Sequence, residues 1–439
     1  MLKSFRKLLG RKHPVDWVIL VVLLALCGMA GHWLARSNVW VSLRAWIYQS
    51  MSTSATGSRH PQYTAVVLLD DQDYWSDHPT AGHEGSATDD LAGRVPTNRQ
   101  YLARIVTQLA AAGAPVIALD FDLRAPLPPS SVDFPAYRSE DDAFFTALRQ
   151  ACADGHSIVL ASELVAQDEG VVEVPSIYDA AGLSDASGLS APCVRHGYIQ
   201  LPRDIRRAPD LVPLQTGGEA DPFAFAVVRS SRPAAYNKIA RPHGNDFPYS
   251  EFISEAGFRD TSQGQVVFSG REILSMTAAE LKQKLLIPGS TQQPNERVVV
   301  VGGGWHTLAM KEGPLVDTHP SPGGDMSGVL LHANYIEAAS AEKLNVPFPD
   351  AAGEAIDAIL VLLIACIGML EIHAGWKWGA VVAVSVLVVV GSYLLMRTFG
   401  LFLDFFFPLI FLGLHAGFEH VREWRHAAQH ASAHAAGKE

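Results

Sequence analysis

The sequence predicts an α/β domain with a largely parallel sheet sandwiched by helices, joined to an α-helical membrane domain of four transmembrane helices. The α/β part follows from short apolar runs that alternate with amphipathic segments along the middle of the chain. These runs are continuously apolar, as in strands that are covered on both faces. The membrane part follows from long, almost uncharged apolar stretches near the two ends of the chain.

The α/β region opens with a strand–helix–strand unit. Residues 63–69 (YTAVVLL) and 115–121 (PVIALDF) are the apolar runs. Between them, Thr97 and Gln100 have the spacing of a capping box, which starts a helix. The apolar side chains of that helix recur at i, i+3, i+4 and i+7 and therefore share one face: Leu102, Ile105, Val106 and Leu109.

The rest of the region continues the alternation. Periodicity predicts further helices over 141–151 and 277–286 and further strands over 157–161, 197–201, 265–268 and 297–301. Residues 71–94 and 233–257 are polar and rich in Gly, Pro and His, so we predict loops there.

Four apolar segments are predicted to span a bacterial inner membrane: residues 17–35, 353–370, 376–396 and 401–418. Basic residues are concentrated in segment 1–16, which the positive-inside rule places in the cytoplasm. Four crossings then put residues 36–350 in the periplasm and return the tail, 419–439, to the cytoplasm.

Charge and cysteine content narrow the possible partners. A net charge of −11 without a basic stripe argues against nucleic acid. Two of the four cysteines, Cys152 and Cys193, fall in the exported region, where the compartment permits a disulfide. The sequence leaves open whether they pair or remain two buried thiols.

Polar residues follow the predicted strands at the edge where α/β folds bind ligands. Candidates for ligand binding there are Asp70, Asp71, Arg94, Asp120, Asp122 and Gly303. The alternative is that each aspartate caps a loop or pairs with an arginine such as Arg94, Arg99 or Arg124. Asp70, Asp120 and Asp122, with His319, form a weak candidate set for a hard divalent cation, so whether a metal binds is left unknown.

Taken in order, these segments resemble the CHASE2 family of extracytoplasmic sensor domains. The matching stretches are VVLLDDQDYW (66–75), RVPTNRQYLARIVTQLAAAGAPVIALDFDL (94–123), DDAFFTALRQ (141–150), SIVLASEL (157–164), GYIQLPRDIRR (197–207), DPFAFAVV (221–228), RVVVVGG (297–303) and VDTHPSPGGDMSGVLLHANYIEAA (316–339). The resemblance implies an exported signal-input domain joined through three membrane helices to a cytoplasmic output.

Residues 316–334 also resemble the family's turn before a helix start. There Asp317, His319 and His332 are further candidates for ligand contact. For His332 a structural role is the alternative, in which its imidazole donates to a carbonyl at a strand end. The helix amides that follow Ser327 are expected to face an anion or a carboxylate.

The chain departs from the family pattern after the last predicted span, where only residues 419–439 remain. We therefore expect a non-catalytic sensor or receptor subunit that signals to a separate protein, or, alternatively, a structural subunit of an oligomeric membrane complex. Expected partners are the lipid bilayer, a signalling or envelope protein, and further copies of the chain. No cofactor and no catalytic residue is predicted.

One enzymatic alternative comes from ALDFDL (118–123), which imitates the D-x-D motif of haloacid dehalogenases. The Thr or Val expected after the second aspartate is missing, because Leu123 and Arg124 follow it. The sequence also contains no acidic pair beyond the later strand 297–301. We therefore predict that the protein is not an enzyme.

Overall fold

The structure is a computed structural model. It describes residues 60–77, 99–123, 137–174, 176, 193–202, 208–239, 249–287, 296–308, 312–321, 324–347, 359, 374–399 and 401–402. The chain divides into two compact units, one of which is Thr56–Leu344 and the other Met1–Ala55 with Asn345–Glu439.

Sixteen strands lie in the described residues. They are β1 (Thr64–Leu69), β2 (Val116–Asp120), β3 (Ser157–Gln167), β4 (Gly170–Val174), β5 (Val194–Tyr198), β6 (Val212–Pro213), β7 (Glu219–Ala220), β8 (Tyr249–Ser250), β9 (Val267–Phe268), β10 (Val298–Gly303), β11 (His306–Leu308), β12 (Glu312–Leu315), β13 (Thr318–Ser321), β14 (Gly324–Ser327), β15 (Leu344–Pro347) and β16 (Leu401–Phe402).

Ten helices lie in the same part of the chain. They are α1 (Asp71–Asp77), α2 (Arg99–Ala111), α3 (Tyr137–Ala153), α4 (Phe223–Ser231), α5 (Pro233–Ile239), α6 (Glu255–Arg259), α7 (Gly270–Ser275), α8 (Ala278–Leu285), α9 (Gly328–Ser340) and α10 (Ala374–Phe399).

The larger unit is built on a seven-stranded sheet in the order β4-β3-β2-β10-β1-β9, with β5 also paired to β3. Every pair in it is parallel except β3 with β4, because the far half of β3 turns back through a short connection into β4. Strand β10, the last of these in sequence, enters between β1 and β2. The prediction of a mixed α/β fold with a largely parallel sheet between helices is confirmed.

The central strands bury both faces, as their continuous apolar runs predict. In β1, Ala65, Val67 and Leu69 face one core, which also holds the buried side of α2 and α3. Val66 and Leu68 face a second core, formed with α4 and α9. Successive side chains of a strand point to opposite faces, so a strand that is buried on both faces is apolar along most of its length.

Helix α9 is buried at all thirteen of its residues. Four of them are polar and are held inside the protein: His332, Asn334, Glu337 and Ser340. Asn334 binds both backbone groups of Ile253, with its Oδ1 2.7 Å from the amide nitrogen and its Nδ2 3.2 Å from the carbonyl oxygen. The polar groups of α9 thus fix the helix to the loop that follows β8.

Two of the predicted loops contain regular structure. Residues 71–77 form α1, because the Asp70 side chain accepts hydrogen bonds from the amides of Gln72 and Asp73 and caps the helix start. Residues 233–239 form α5, because a proline is favourable at the first helical position. The loop predictions for these residues were wrong.

The predicted membrane spans fall mostly outside the described residues. This holds for 17–35, for 353–370 apart from Ile359, and for 401–418 apart from its first two residues. Segment 376–396 lies in α10, which exposes apolar side chains such as Val382 and Leu387. Among the described residues, no helix combines the length and the apolar character that a membrane crossing requires. Because three of the four segments lie almost entirely outside the described residues, the four-span arrangement stays a prediction.

Candidate functional site

A cavity of about 530 Å³ lies at the carboxyl ends of β2, β3, β5 and β10, and we call it the strand-end cavity. Its volume is in the range of small-molecule sites, and its position is the one at which open parallel sheets bind ligands. Six of the nine ligand-binding candidates line it: Asp120, Asp122, Gly303, Asp317, His319 and His332.

Asp120 is the last residue of β2 and is almost completely buried, with 7% of its side chain exposed. Burial, reinforced by the charge of Asp317, raises the pKa of Asp120 to about 8. At neutral pH the carboxyl group is therefore mainly protonated.

His332 comes from the second turn of α9 and lies opposite Asp120. The His332 Nε2 and Asp120 Oδ1 atoms are 4.0 Å apart, too far for a hydrogen bond. Burial, followed by the nearby His319, lowers the pKa of His332 to about 3, although a hydrogen bond with the backbone of Ile199 opposes the shift. The pair is therefore neutral at pH 7, with the ring held at the end of β5 and edge-on to Phe223.

Asp317 lies in the turn between β12 and β13 with a left-handed backbone, φ 53°. Its carbonyl oxygen accepts the amide hydrogen of Gly328, and its carboxyl group contacts Gly328, the first residue of α9. A negative charge is favourable at a helix amino end, where amides are unpaired. The other carboxyl oxygen of Asp317 lies 2.7 Å from His319 Nε2. The amides after Ser327 thus face a carboxylate that belongs to the protein itself.

The run of glycines at the end of β10 is needed because neighbouring side chains lie too close to the strand to leave room for a Cβ atom. A Cβ on Gly302 would lie 2.6 Å from Val329 of α9, and one on Gly303 would lie 2.7 Å from the Trp305 ring. That ring is fixed because it stacks on Tyr74, with 4.2 Å between the ring centres. The run therefore allows a helix and an indole to approach the strand and form one wall of the cavity.

Among the other cavity residues, sequence reasoning named Arg99 only as a possible partner of the aspartates and did not single out Ser162, Glu163, Gln200 and Trp305. Arg99 is 1% exposed and carries its charge inside the protein, over the ring of Phe144. Gln200 Nε2 donates to the Leu164 carbonyl. The buried Oε1 atom of Gln200 has no partner among the described residues. Gln200 follows the end of β5, whereas Glu163 lies inside β3 and Arg99 in the first turn of α2, so a strand-end rule would have found only Gln200.

Asp70 and Asp71 do not reach the strand-end cavity. The Asp70 side chain caps α1, and Asp71 accepts the His306 amide hydrogen at 2.6 Å and faces the His306 ring nitrogen Nδ1 at 2.8 Å. Arg94 lies outside the described residues. Asp70 thus caps a helix and Asp71 pairs with a histidine, whereas the alternative named a loop cap or an arginine partner.

A neighbouring acid that sequence reasoning missed organises this side of the fold. Asp73 accepts the amide hydrogens of Gly270 and Arg271, at 2.8 and 2.9 Å, and the Tyr101 hydroxyl at 2.8 Å. It joins α1, α2 and the start of α7, which is almost two hundred residues later in the chain. No short-range sequence pattern predicts such a contact.

The remaining predicted sites concern metal and sulfur. In the part of the chain that the structure describes, no three His, Cys, Asp or Glu residues are arranged to hold a metal ion. Asp70 lies away from Asp120 and Asp122, so the proposed metal set is not assembled. Cys152 of α3 and Cys193 before β5 form a disulfide, with Cα atoms 5.7 Å apart.

Comparison with known proteins agrees with this architecture. Neither a curated protein nor a solved structure matches the chain. The model of the CHASE2 domain matches residues 19–370, which include the whole sheet and every residue of the strand-end cavity. CHASE2 domains are extracellular sensor domains. Because the match covers most of the sequence, the chain belongs to the CHASE2 domain family.

Proposed function

We propose that the protein is a receptor subunit that binds an extracytoplasmic ligand in the strand-end cavity and signals to a separate partner protein. The observation that carries this proposal is the cavity itself. It holds ionisable side chains that are withdrawn from solvent, such as Arg99 and Asp120, beside the fixed ring of Trp305. Burying such groups is unfavourable for folding, so their presence favours a role in binding.

We further propose that the receptor is a multi-pass protein of a bacterial inner membrane, with its larger unit in the periplasm and both termini in the cytoplasm. Support comes from the four apolar segments, 17–35, 353–370, 376–396 and 401–418, and from the basic residues of 1–16. The exposed valine and leucine side chains of α10 suit contact with lipid or with other helices.

The topology can be tested with a reporter inserted in the turn between Gly217 and Gly218. Both residues have positive φ, and the space around them is open. Alkaline phosphatase is active only after export, so a fusion here is expected to be active, whereas a fusion after residue 430 is expected to be inactive. An inactive first fusion together with an active second one would overturn the proposed orientation.

Ligand binding can be tested by denaturing the purified full chain and identifying the small molecules released. The Gln200→Leu variant removes the polar end of a cavity residue, and Gln215→Leu makes the same change at an exposed position. We expect a molecule that is released in equal amount by the wild type and Gln215→Leu and is depleted in Gln200→Leu. Identical release from all three proteins would place any ligand elsewhere.

The second candidate function is that of a structural subunit in an oligomeric membrane complex. Small residues recur along α10 and would let helices approach closely: Gly379, Ala380, Ala383 and Ser385. Extraction in mild detergent followed by mass spectrometry separates the two functions. Co-elution of one signalling enzyme supports the receptor, while a homo-oligomer alone or an envelope assembly supports the structural subunit.

We propose no catalytic activity and no cofactor for this chain. The most direct challenge would be phosphatase activity, because Asp120 and Asp122 occupy the D-x-D positions. Turnover of a phosphate ester that is lost in Asp120→Asn would overturn the receptor proposal.

A further inference from the structure

The side chains around the strand-end cavity carry more acidic than basic groups. Four carboxyl groups line it, and they belong to Asp120, Asp122, Glu163 and Asp317. The basic groups are the Arg99 guanidinium and the imidazoles of His319 and His332. His332 is neutral because burial disfavours its charged form, and His319 is already paired with Asp317. At neutral pH, where Asp120 is protonated, an entering anion would thus meet Asp122, Glu163 and the Asp317–His319 pair, with Arg99 as the one permanent cation.

Two buried polar atoms of the cavity, one on Gln200 and one on His332, also lack a partner among the described residues. The Oε1 atom of Gln200 can only accept a hydrogen bond, and its amide nitrogen already donates to Leu164. The Nδ1 atom of His332, in a residue that is 3% exposed, has no partner either. A neutral imidazole keeps one acceptor nitrogen. Unsatisfied buried acceptors favour a ligand that brings hydrogen-bond donors.

The apolar part of the lining suits a short carbon chain. Ile199, Leu201 and Val316 line the same cavity as Trp305, whose ring is immobilised on Tyr74. An indole surface also attracts organic cations. The cavity therefore combines an apolar wall with excess acceptors and excess negative charge.

We infer that the ligand of the strand-end cavity is a small organic cation, with a protonated amino group held between the carboxyl groups of Asp120 and Asp317 and a short carbon chain against Trp305. This inference rests on the proposed receptor function and names the ligand class of the same site. When Asp120 is ionised, its charge and that of Asp317 repel each other, and a cation between them relieves this repulsion.

Three four-carbon probes that differ only in their end groups test the ligand class: 1,4-diaminobutane, 1,4-butanediol and succinate. Calorimetric titration of the purified full chain is carried out between about pH 8 and pH 10, where Asp120 is ionised and alkyl amines are still protonated. We expect the diamine to bind and the diol and the dicarboxylate not to bind. Binding of succinate or butanediol in preference to the diamine would overturn the cation class.

Two matched variants locate the binding. Asp120→Asn keeps the shape of the side chain and is expected to weaken diamine binding about tenfold or more, because a charge-assisted hydrogen bond is lost. Asp260→Asn makes the same change at an exposed acid outside the cavity and is expected to leave affinity unchanged. Equal affinity of the wild type and Asp120→Asn would overturn the inference. Thermal unfolding of each variant checks that it is folded.

The outcomes distinguish this inference from the receptor proposal on which it rests. If none of the three probes binds the wild type, the cation class is overturned. The receptor proposal is then decided by the released molecule, which should still be present in the wild type and depleted in Gln200→Leu. If that difference is also missing, both are overturned.

Discussion

His332 and Asp120 face each other at 4.0 Å inside the protein, and burial keeps both neutral, with pKa values of about 3 and about 8. In the unfolded chain a histidine titrates near about 6.5 and an aspartate near about 3.9. Between these two pH values the folded pair and the unfolded pair each bind one proton. Together the two groups therefore give the free energy of unfolding no dependence on pH in this window.

The first prediction concerns stability above about pH 6.5, where the unfolded histidine loses its proton and the two states no longer bind equal numbers of protons. The folded protein still holds the Asp120 proton while the unfolded chain holds neither, so the free energy of unfolding should fall as pH rises. The expected slope is about 1.4 kcal/mol per pH unit up to about pH 8, and the stability is then level. Asp120→Asn should remove this slope, which urea unfolding across pH 6 to 9 would measure.

The exposed Asp260→Asn variant is the control for this series and should retain the slope, because the pKa of Asp260 is lowered by its hydrogen bonds to Ser262. A wild-type curve that is level between pH 6.5 and 8 would contradict the neutral state assigned to the buried pair.

The second prediction concerns Asp317, whose charge contributes after burial to the raised pKa of Asp120. Asp317→Asn removes the charge, and asparagine tolerates the positive φ of this position. We therefore expect the pKa of Asp120 to move down, so that stability becomes level at a lower pH than in the wild type. NMR titration of labelled aspartate carboxyl groups would measure it. In the control Asp325→Asn, an exposed acid of β14, the titration should be unchanged.

The third prediction concerns Glu337, whose two carboxyl oxygens accept the amide hydrogens of Gln62 and Tyr63 at 2.7 and 2.9 Å. Glu337→Gln replaces one acceptor with an amide donor, which leaves one backbone amide unsatisfied. The expected loss is about 1 to 3 kcal/mol in the free energy of unfolding. Glu255→Gln, which removes an exposed ion pair with Arg259, should cost about 0.5 kcal/mol or less. Similar losses for the two variants would show that the Glu337 contact is not important.

The fourth prediction concerns the disulfide between Cys152 and Cys193, which closes a separation of 41 residues. In the chain-entropy description, a loop of this size stabilises the folded state by about 4 kcal/mol. Reduction should therefore lower the unfolding midpoint, and the Cys152→Ser, Cys193→Ser double variant should match the reduced wild type. A double variant as stable as the oxidised wild type would mean that the cross-link adds nothing.

Much of the sheet could be predicted because its signal is local. The stripe of Leu102, Ile105, Val106 and Leu109 is completely buried on α2, as its spacing predicted. The run at 297–301 is the central strand β10, although the strand begins at Val298 and continues into the glycines. The order of strands was not predictable, since it depends on β10 pairing with β1 and β2, which are far away in sequence.

The candidate site was predictable where the residues lie at strand ends or in the turn and helix start at 316–334. Asp120 and Gly303 were found by the strand-end rule, but so were Asp70 and Asp71, which the fold uses for capping and pairing. The sequence at 71–77 reads as polar loop because the partners that bury Asp73 and Tyr74 are remote. Asp73, for example, gains its role only when α7 comes beside it.

Helix α9 has a mechanical consequence for signalling in the larger unit. Its first residue contacts Asp317 at the cavity, and Glu337, near its other end, holds the backbone that leads into β1. Thirteen helical residues span about 20 Å, and no side of the helix is free to deform into solvent. A small displacement along its axis should therefore travel as rigid-body motion from the mouth of the cavity to the opposite rim of the sheet.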